Sequence, residues 1–311
     1  MIEKYIVTQE EDKIRLDKYV IKKVPEWISR NFIQTSIKEG KILVNDQTKK
    51  SSYTLKNGDI VSIESPDKPE KQEIHAEKID IDIIYEDSEL IVINKPYGML
   101  VHPAGNIYSG TLVNALLEKI DSEQEERPGI VHRLDKDTSG VIIIAKNPET
   151  EKSLSNQFKD RLTKKTYLAL VKNKFNKPFG KIDLPIGRHP IQRHKMCVML
   201  DGKESFTSYK LLRNFGKEAA LLSINIKTGR THQIRVHLSH INHPVLGDYI
   251  YGNKKGINSL LNIERQMLHA SKIGFYHPKT EKWLEFFAPL KNDFKNCLIQ
   301  LDKYSKGEIW L

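Results

Sequence analysis

Apolar positions in the first sixty residues fall at two spacings. Leu16, Tyr19 and Val20 predict a short helix over 15–21. Ser29 stands where a cap is wanted, Phe32, Ile33 and Ile37 share one face behind it, and Gly40 supplies the stop. The pattern then tightens: 41–44 and 60–63 read as strands, with a turn at Asn45-Asp46 and Gly58-Asp59 opening the second strand. Residues 1–12 read as a loose or edge-paired leader, and 65–78, polar and holding Pro66 and Pro69, as a linker.

From Ile79 onward the chain reads as a second, larger domain. Segments 83–85 and 90–94 predict a strand pair joined across 86–88, followed by a loop from Asn94 to Pro103. Thr111 heads a helix over 111–117. Val141-Ile142-Ile143-Ile144-Ala145 is short, continuous and β-branched, the mark of a buried strand. A helix over 149–158 and a strand over 164–171 follow. The boundaries expected are 13–64, a linker 65–78, and 79–311.

Composition narrows the class. A chain of 311 residues with 39% hydrophobic and 29% charged residues suits two soluble domains. No apolar run approaches the ~20 residues of a spanning helix, and the first residues lack the apolar core of a signal peptide, so a cytoplasmic protein is expected. Cys197 and Cys297 have no metal or disulfide spacing and read as reduced, partly buried thiols. The net charge of +10 favours a polyanionic partner, nucleic acid or an anionic membrane surface. It is unevenly spread. Residues 13–56 hold 11 Lys/Arg against 4 Asp/Glu, and residues 160–235 hold 17 against 5. If RNA binds, its phosphates are drawn to these two segments.

The stretch His132-Arg133-Leu134-Asp135-Lys136-Asp137-Thr138-Ser139-Gly140 enters the buried strand as a charged loop. An imidazole, a guanidinium and a carboxylate within four residues make a plausible reaction centre. From spacing alone a plainer reading competes, in which Asp137, Thr138 and Ser139 bond their own backbone and Arg133 pairs with Asp135.

Two resemblances change that balance. Arg15-Leu16-Asp17, Ser29-Arg30, the run Ile37 to Asn45 and Leu55 to Asp59 resemble the S4 RNA-binding domain, which implies that Arg30, Lys38 and Lys41 hold RNA phosphates. The nine residues from His132 to Gly140, the loop Asn94 to Pro103, Lys165 to Val171, Thr228 to Leu238 and His269-Ala270 together resemble the RluA family of pseudouridine synthases, in the arrangement of its RluC and RluD members. The implied fold is α+β: a small N-terminal S4-like RNA-binding module, then a catalytic domain on a mixed, largely antiparallel sheet with Asp135 on the floor of a cleft. The implied activity is conversion of uridine to pseudouridine in structured RNA, most often large-subunit ribosomal RNA, by a monomer without metal or cofactor. Asp135 matches the essential aspartate, Tyr167 the tyrosine of the base pocket, and Arg235 the arginine paired with the carboxylate, with Arg230 second choice for that role. Arg133 matches the arginine that helps expel the nucleotide, and His132 and Arg230 are further RNA contacts.

The chemistry suits these residue types. Breaking the N1–ribose bond, turning the base and joining C5 to the ribose can use a carboxylate as a nucleophile at sugar or base, as a stabiliser of positive charge, or as a proton acceptor. A neighbouring arginine favours the ionised form. Extruding a base costs a few kcal/mol, and an aromatic face returns ~1–3 kcal/mol by stacking. Histidines at 232, 237, 240 and 243 are joined by no cysteine or acidic cluster of a metal site; His243-Pro244 reads as a turn, and His232 and His237 as RNA contacts or core groups. No Gly-Lys pair is followed by Ser or Thr, so no phosphate loop is present. The rival reading is a ribosome-assembly factor that binds RNA on the same surface without needing Asp135.

Overall fold

The computed structural model describes residues 2–25, 27–64, 73–122, 127–252 and 261–306. The chain divides into two compact units, Met1–Lys71 and Gln72–Leu311.

The first unit is a three-stranded antiparallel sheet with two helices. Strand β1 (Ile2–Ile6) precedes α1 (Leu16–Lys23) and α2 (Arg30–Lys38); β2 (Ile42–Val44) and β3 (Ile60–Glu64) complete the order β1-β3-β2. The leader is therefore an edge strand, paired from Ile2 opposite Glu64 to Ile6 opposite Ile60. Ser29 caps α2 by accepting the Phe32 N–H at 3.2 Å, and Gly40, at φ +76°, turns the chain out of the helix. Leu16, Tyr19 and Val20 of α1 and Ile33 and Ile37 of α2 join Val44, Val61 and Ile63 in one core. Phe32, assigned to that face by spacing, is 39% exposed. The expected linker lies partly outside the described residues, at 65–72. Its remainder is bound to the second unit: Glu77 donates its N–H to the Asn114 carbonyl, and Asn114 Nδ2 donates to the His75 carbonyl.

The second unit is built on a nine-stranded sheet. In chain order come β4 (Ile83–Glu86), β5 (Leu90–Lys95), α3 (Leu112–Leu116), β6 (Ser139–Ala145), α4 (Pro148–Lys159), β7 (Lys164–Lys172) and β8 (Phe179–Asp183). A small pair, β9 (Ile186–Arg188) with β10 (Met196–Val198), stands apart from the sheet. Then come β11 (Phe206–Phe215), β12 (Ala219–Ile226), α5 (Gln233–His240), β13 (Leu268–Tyr276), β14 (Trp283–Phe287) and α6 (Asn292–Ser305). The sheet order is β4-β5-β6-β13-β7-β12-β11-β8, with β14 also on β13. Every pairing in it is antiparallel except β6 with β13. The fold is thus α+β with a mixed, largely antiparallel sheet.

Strands β5 and β6 are buried along their whole length, which is why their sequences run apolar rather than alternating. Each buried Val or Ile there contributes about 1.5–3 kcal/mol relative to exposure. This rigid centre delivers the charged loop: residues 132–138 lead into β6 at Ser139. Gly140 lets β6 approach β13 closely. Its φ is +115°, and a Cβ there would meet the Ala270 carbonyl oxygen at 2.2 Å.

No helix among the described residues is long and apolar enough to cross a membrane.

Candidate active site

Asp135, on the charged loop, and Arg235, in the first turn of α5, meet across a cleft. Arg235 Nη1 donates to Asp135 Oδ2 at 2.9 Å. The rest of the guanidinium is claimed by Asp248: Nε donates to Oδ2 at 2.6 Å and Nη2 to Oδ1 at 2.9 Å. Asp248 is fully buried, and its Oδ1 also accepts the N–H groups of Ile250 and Tyr251. Burial alone would make it easier for Arg235 to lose its proton. The two carboxylates outweigh that and hold the guanidinium more firmly charged than usual. The cleft therefore contains a fixed cation with one N–H aimed at Asp135.

The loop is secured from three sides. The Thr138 N–H closes a turn onto the Asp135 carbonyl at 3.0 Å. Lys95, the last residue of β5 and fully buried, donates to the carbonyls of Pro96, Met99 and Lys136 at 2.7, 2.9 and 3.1 Å. Burial pulls its ammonium down to about 7, against the attraction of Asp137 and Asp135. Buried Arg265, paired with Asp293 at 2.6 Å, donates to the Asp137 carbonyl at 3.1 Å and to Ser139 Oγ at 3.2 Å. Ser139 Oγ in turn lies 2.9 Å from His269 Nδ1, and His269 Nε2 lies 3.1 Å from the Ala288 carbonyl. The His269-Ala270 pair singled out in the sequence thus helps to anchor the loop, with Ala270 beside Gly140.

The cleft is lined by Arg133, Asp135, Tyr167, Arg230, His232 and Arg235, among others. Tyr167 lies on β7, where Ala270 of β13 and Ile224 of β12 flank it. It is 7% exposed, and burial together with the nearby Asp135 charge makes its hydroxyl a weaker acid than usual. Its ring is thus part of the wall rather than an ionisable group at neutral pH. Arg133 is exposed at the rim and forms no pair with Asp135 among the described residues, so the plainer reading of that loop does not describe it. Arg230 is held through Nε by the Glu204 carbonyl at 3.1 Å; it lines the cleft, but Arg235 takes the carboxylate.

His132 is a correction. It was expected to contact RNA, but its Nε2 accepts the Ile143 N–H at 2.9 Å and its ring stacks on Phe158 at 4.5 Å. Burial lowers its pKa to about 3, so it is a neutral packing group that ties the loop to β6. His237 is likewise internal, with Nδ1 2.9 Å from Thr207 Oγ1 and Nε2 2.9 Å from the Leu184 carbonyl. In the first unit Arg30, Lys38 and Lys41 are all exposed. Arg30 and Lys38 form no ion pair among the described residues, whereas Lys41 is taken by Glu39 at 2.8 Å. Cys297 is buried, its thiol pushed up to about 12 by desolvation, and Cys197 is half-buried; both are free.

Asp248, Lys95 and Arg265 escape the sequence reading. One signal was available for Asp248: it is the only acidic residue between Glu218 and Glu264, in a stretch that carries Arg230 and Arg235.

Comparison with known proteins identifies the family. Residues 89–240 match the family described as RNA pseudouridylate synthase, and residues 14–61 match the S4 domain. An uncharacterized RNA pseudouridine synthase of Aquifex aeolicus is 44% identical, covering 95% of this chain and 96% of its own. The ribosomal large subunit pseudouridine synthase D of Nitrosomonas europaea is 39% identical over 92% of this chain and 83% of its own. Among solved structures, human RNA pseudouridylate synthase domain containing 1 superposes with a TM-score of 0.58 at 27% identity, over 73% of this chain and 95% of that one. The chain belongs to the RNA pseudouridine synthase family, isomerases that act on uridine in RNA. Within that family its S4 unit and full-length relatives make it an RluA-type enzyme of the RluD-like arrangement.

Proposed function

We propose that this enzyme isomerises uridines of large-subunit ribosomal RNA in the cytoplasm, with Asp135 as the catalytic carboxylate. The observation that carries the chemical part is the Asp135–Arg235 contact, 2.9 Å across a cleft that also holds Tyr167 and Arg133. Arg235 pairs with the Asp135 carboxylate and orients it, and is itself held by Asp248. An ionised carboxylate fixed in this way can attack, stabilise positive charge at the ribose carbon, or take a proton. Tyr167 offers the uracil an aromatic wall. Arg133, long, cationic and exposed at the rim, fills the gap left by an extruded nucleotide. Phosphates of the flanking RNA are held by Arg230, by Arg30, Lys38 and Lys41, and by the basic segment 160–235.

The ribosomal assignment rests on the relative from Nitrosomonas europaea, whose name specifies the large subunit. It is tested by incubating purified protein with protein-free large-subunit ribosomal RNA, small-subunit ribosomal RNA and transfer RNA, then mapping pseudouridine at single-nucleotide resolution. New pseudouridine confined to large-subunit RNA is expected. Modification of transfer RNA alone would overturn the assignment while leaving the chemistry intact.

A further inference from the structure

His232 occupies a position that the proposed chemistry leaves unused. It caps α5 with a left-handed backbone, φ +56°, and lines the cleft beside Asp135 and Tyr167. Its Nδ1 lies 2.8 Å from the Tyr251 hydroxyl. Its Nε2 lies 4.0 Å from Asp135 Oδ2, beyond hydrogen-bonding distance.

The neighbours decide which ring nitrogen carries hydrogen. Tyr251 Oη accepts the Met196 N–H at 2.8 Å, and the only other hydrogen bond of that hydroxyl among the described residues is to His232. A hydroxyl has one hydrogen to give. If Nδ1 carried a hydrogen, Tyr251 would accept twice and its own hydrogen would have no acceptor in a half-buried site. The satisfied arrangement sends the hydroxyl hydrogen to Nδ1, so the ring hydrogen resides on Nε2. A second proton on the ring is opposed first by burial and then by the Arg235 and Arg133 guanidiniums, against the pull of Asp135 and Asp248. Arg235 also stacks over the Tyr251 ring at 5.2 Å, which fixes the phenol beside the histidine.

The result is an N–H facing the cleft with no acceptor in reach among the described residues. Uracil carries two carbonyl oxygens, and both gain negative charge as the N1–ribose bond breaks. We infer that His232, fixed as its Nε2–H tautomer by Tyr251, contacts the substrate by donating that hydrogen to a uracil carbonyl oxygen while the base is detached from the ribose. The hydrogen stays on Nε2 throughout. His232 forms and breaks no covalent bond; over the whole reaction a C5–C1′ bond takes the place of the N1–C1′ bond, and the hydrogen leaves C5 as a proton while N1 takes one up, so the base keeps its atoms and its oxidation level. Because charge on the base peaks while it is detached, the hydrogen bond is strongest there, and its loss slows the reaction more than it weakens binding.

This inference rests on the proposed role of Asp135, and the test separates the two. Nitrogen-15 NMR of the full-length protein at neutral pH should show His232 with an acceptor-type Nδ1 and a protonated Nε2. An Nδ1–H tautomer or an imidazolium overturns the inference whatever any variant does. In single-turnover assays at saturating RNA, His232→Ala should be slower by tenfold or more, with RNA affinity within twofold of the unaltered protein. His232→Gln, which returns an N–H near the same point, should recover part of the rate. Tyr251→Phe keeps the ring beneath Arg235 but should mix the two tautomers and slow the reaction several-fold. An unchanged rate in His232→Ala, with Asp135→Asn inactive, sinks the role of His232 alone. Activity in Asp135→Asn sinks the reading beneath it.

Discussion

Asp248 shows how one buried side chain can set the electrostatics of a cleft. Its carboxylate takes two guanidinium N–H groups and two backbone N–H groups, leaving Arg235 one direction in which to extend, toward Asp135. Removing one partner of a buried ion pair costs about 3–5 kcal/mol, because the other charge stays buried. Asp248→Asn keeps the shape and one acceptor, so a loss of about 3 kcal/mol in chemical denaturation is expected, with slower turnover as Arg235 loses its anchor. Unchanged stability and rate would show that Asp248 does not position Arg235. Gly140 makes a second residue-scale prediction. Gly140→Ala would drive a methyl into the Ala270 backbone and should destabilise the protein by more than about 3 kcal/mol, read as a large fall in melting temperature. At this scale the sequence was legible where the family resemblance supplied a pairing, as for Arg235 and Asp135. It was opaque where a role depends on long-range burial. Lys95 reads as one more polar residue of a loop, yet it is fully buried beneath three carbonyls, one of them 41 positions away. His132 misled because an imidazole beside a carboxylate and a guanidinium looks chemical from sequence, and only the Ile143 N–H and the Phe158 ring reveal its structural use.

Among elements, those with purely local causes were the readable ones. Ser29 and Gly40 bound α2, and the β-branched run at 141–145 forms β6, as the local sequence dictates, whereas the Asn147 cap and Pro148 open α4 ahead of the start at 149 expected from the sequence. The partnership of β6 with β13, more than a hundred residues later, leaves no local trace beyond the His269-Ala270 pair. The turn between β4 and β5 carries a pH prediction. Burial pushes the Asp87 carboxyl up, but hydrogen bonds from Tyr85, the Leu90 N–H, His277 and the Glu89 N–H outweigh it and hold the group at about 2, against an ordinary 3.8. A carboxyl held below its unfolded value binds fewer protons in the native state. Its contribution is therefore complete above about pH 4 and is lost as pH falls toward 2. Melting temperature should drop across that window by less in Asp87→Asn than in the unaltered protein, the full contribution being about 2 kcal/mol. Equal drops would mean that the turn stores no such linkage.

For the molecule as a whole, the basic charge is divided between two units with separate apolar cores. Log affinity for RNA should therefore fall steeply with log salt concentration, and both units should contribute to the slope. Deleting residues 1–71 should leave the cleft and its sheet folded, weaken RNA binding, and flatten the slope by about 0.7–0.9 for each phosphate no longer held. An unchanged slope would assign the RNA-holding charge to the second unit alone. Fold class and the existence of two units were readable from periodicity, charge and motif together. Residues 73–78, polar enough in sequence to read as the end of a linker, make hydrogen bonds to Asn114 that their composition conceals.

The central claim is that one carboxylate, oriented by Arg235, performs the isomerisation. Asp135→Asn tests it most directly, since the amide preserves size and keeps an oxygen that can accept from Arg235 Nη1. Pseudouridine formation in an RNA modified by the unaltered protein should fall below detection, about 10³-fold or more if the carboxylate acts as nucleophile or base. RNA affinity should stay within a few-fold. Pseudouridine accumulating at a comparable rate in the Asp135→Asn protein would contradict the account.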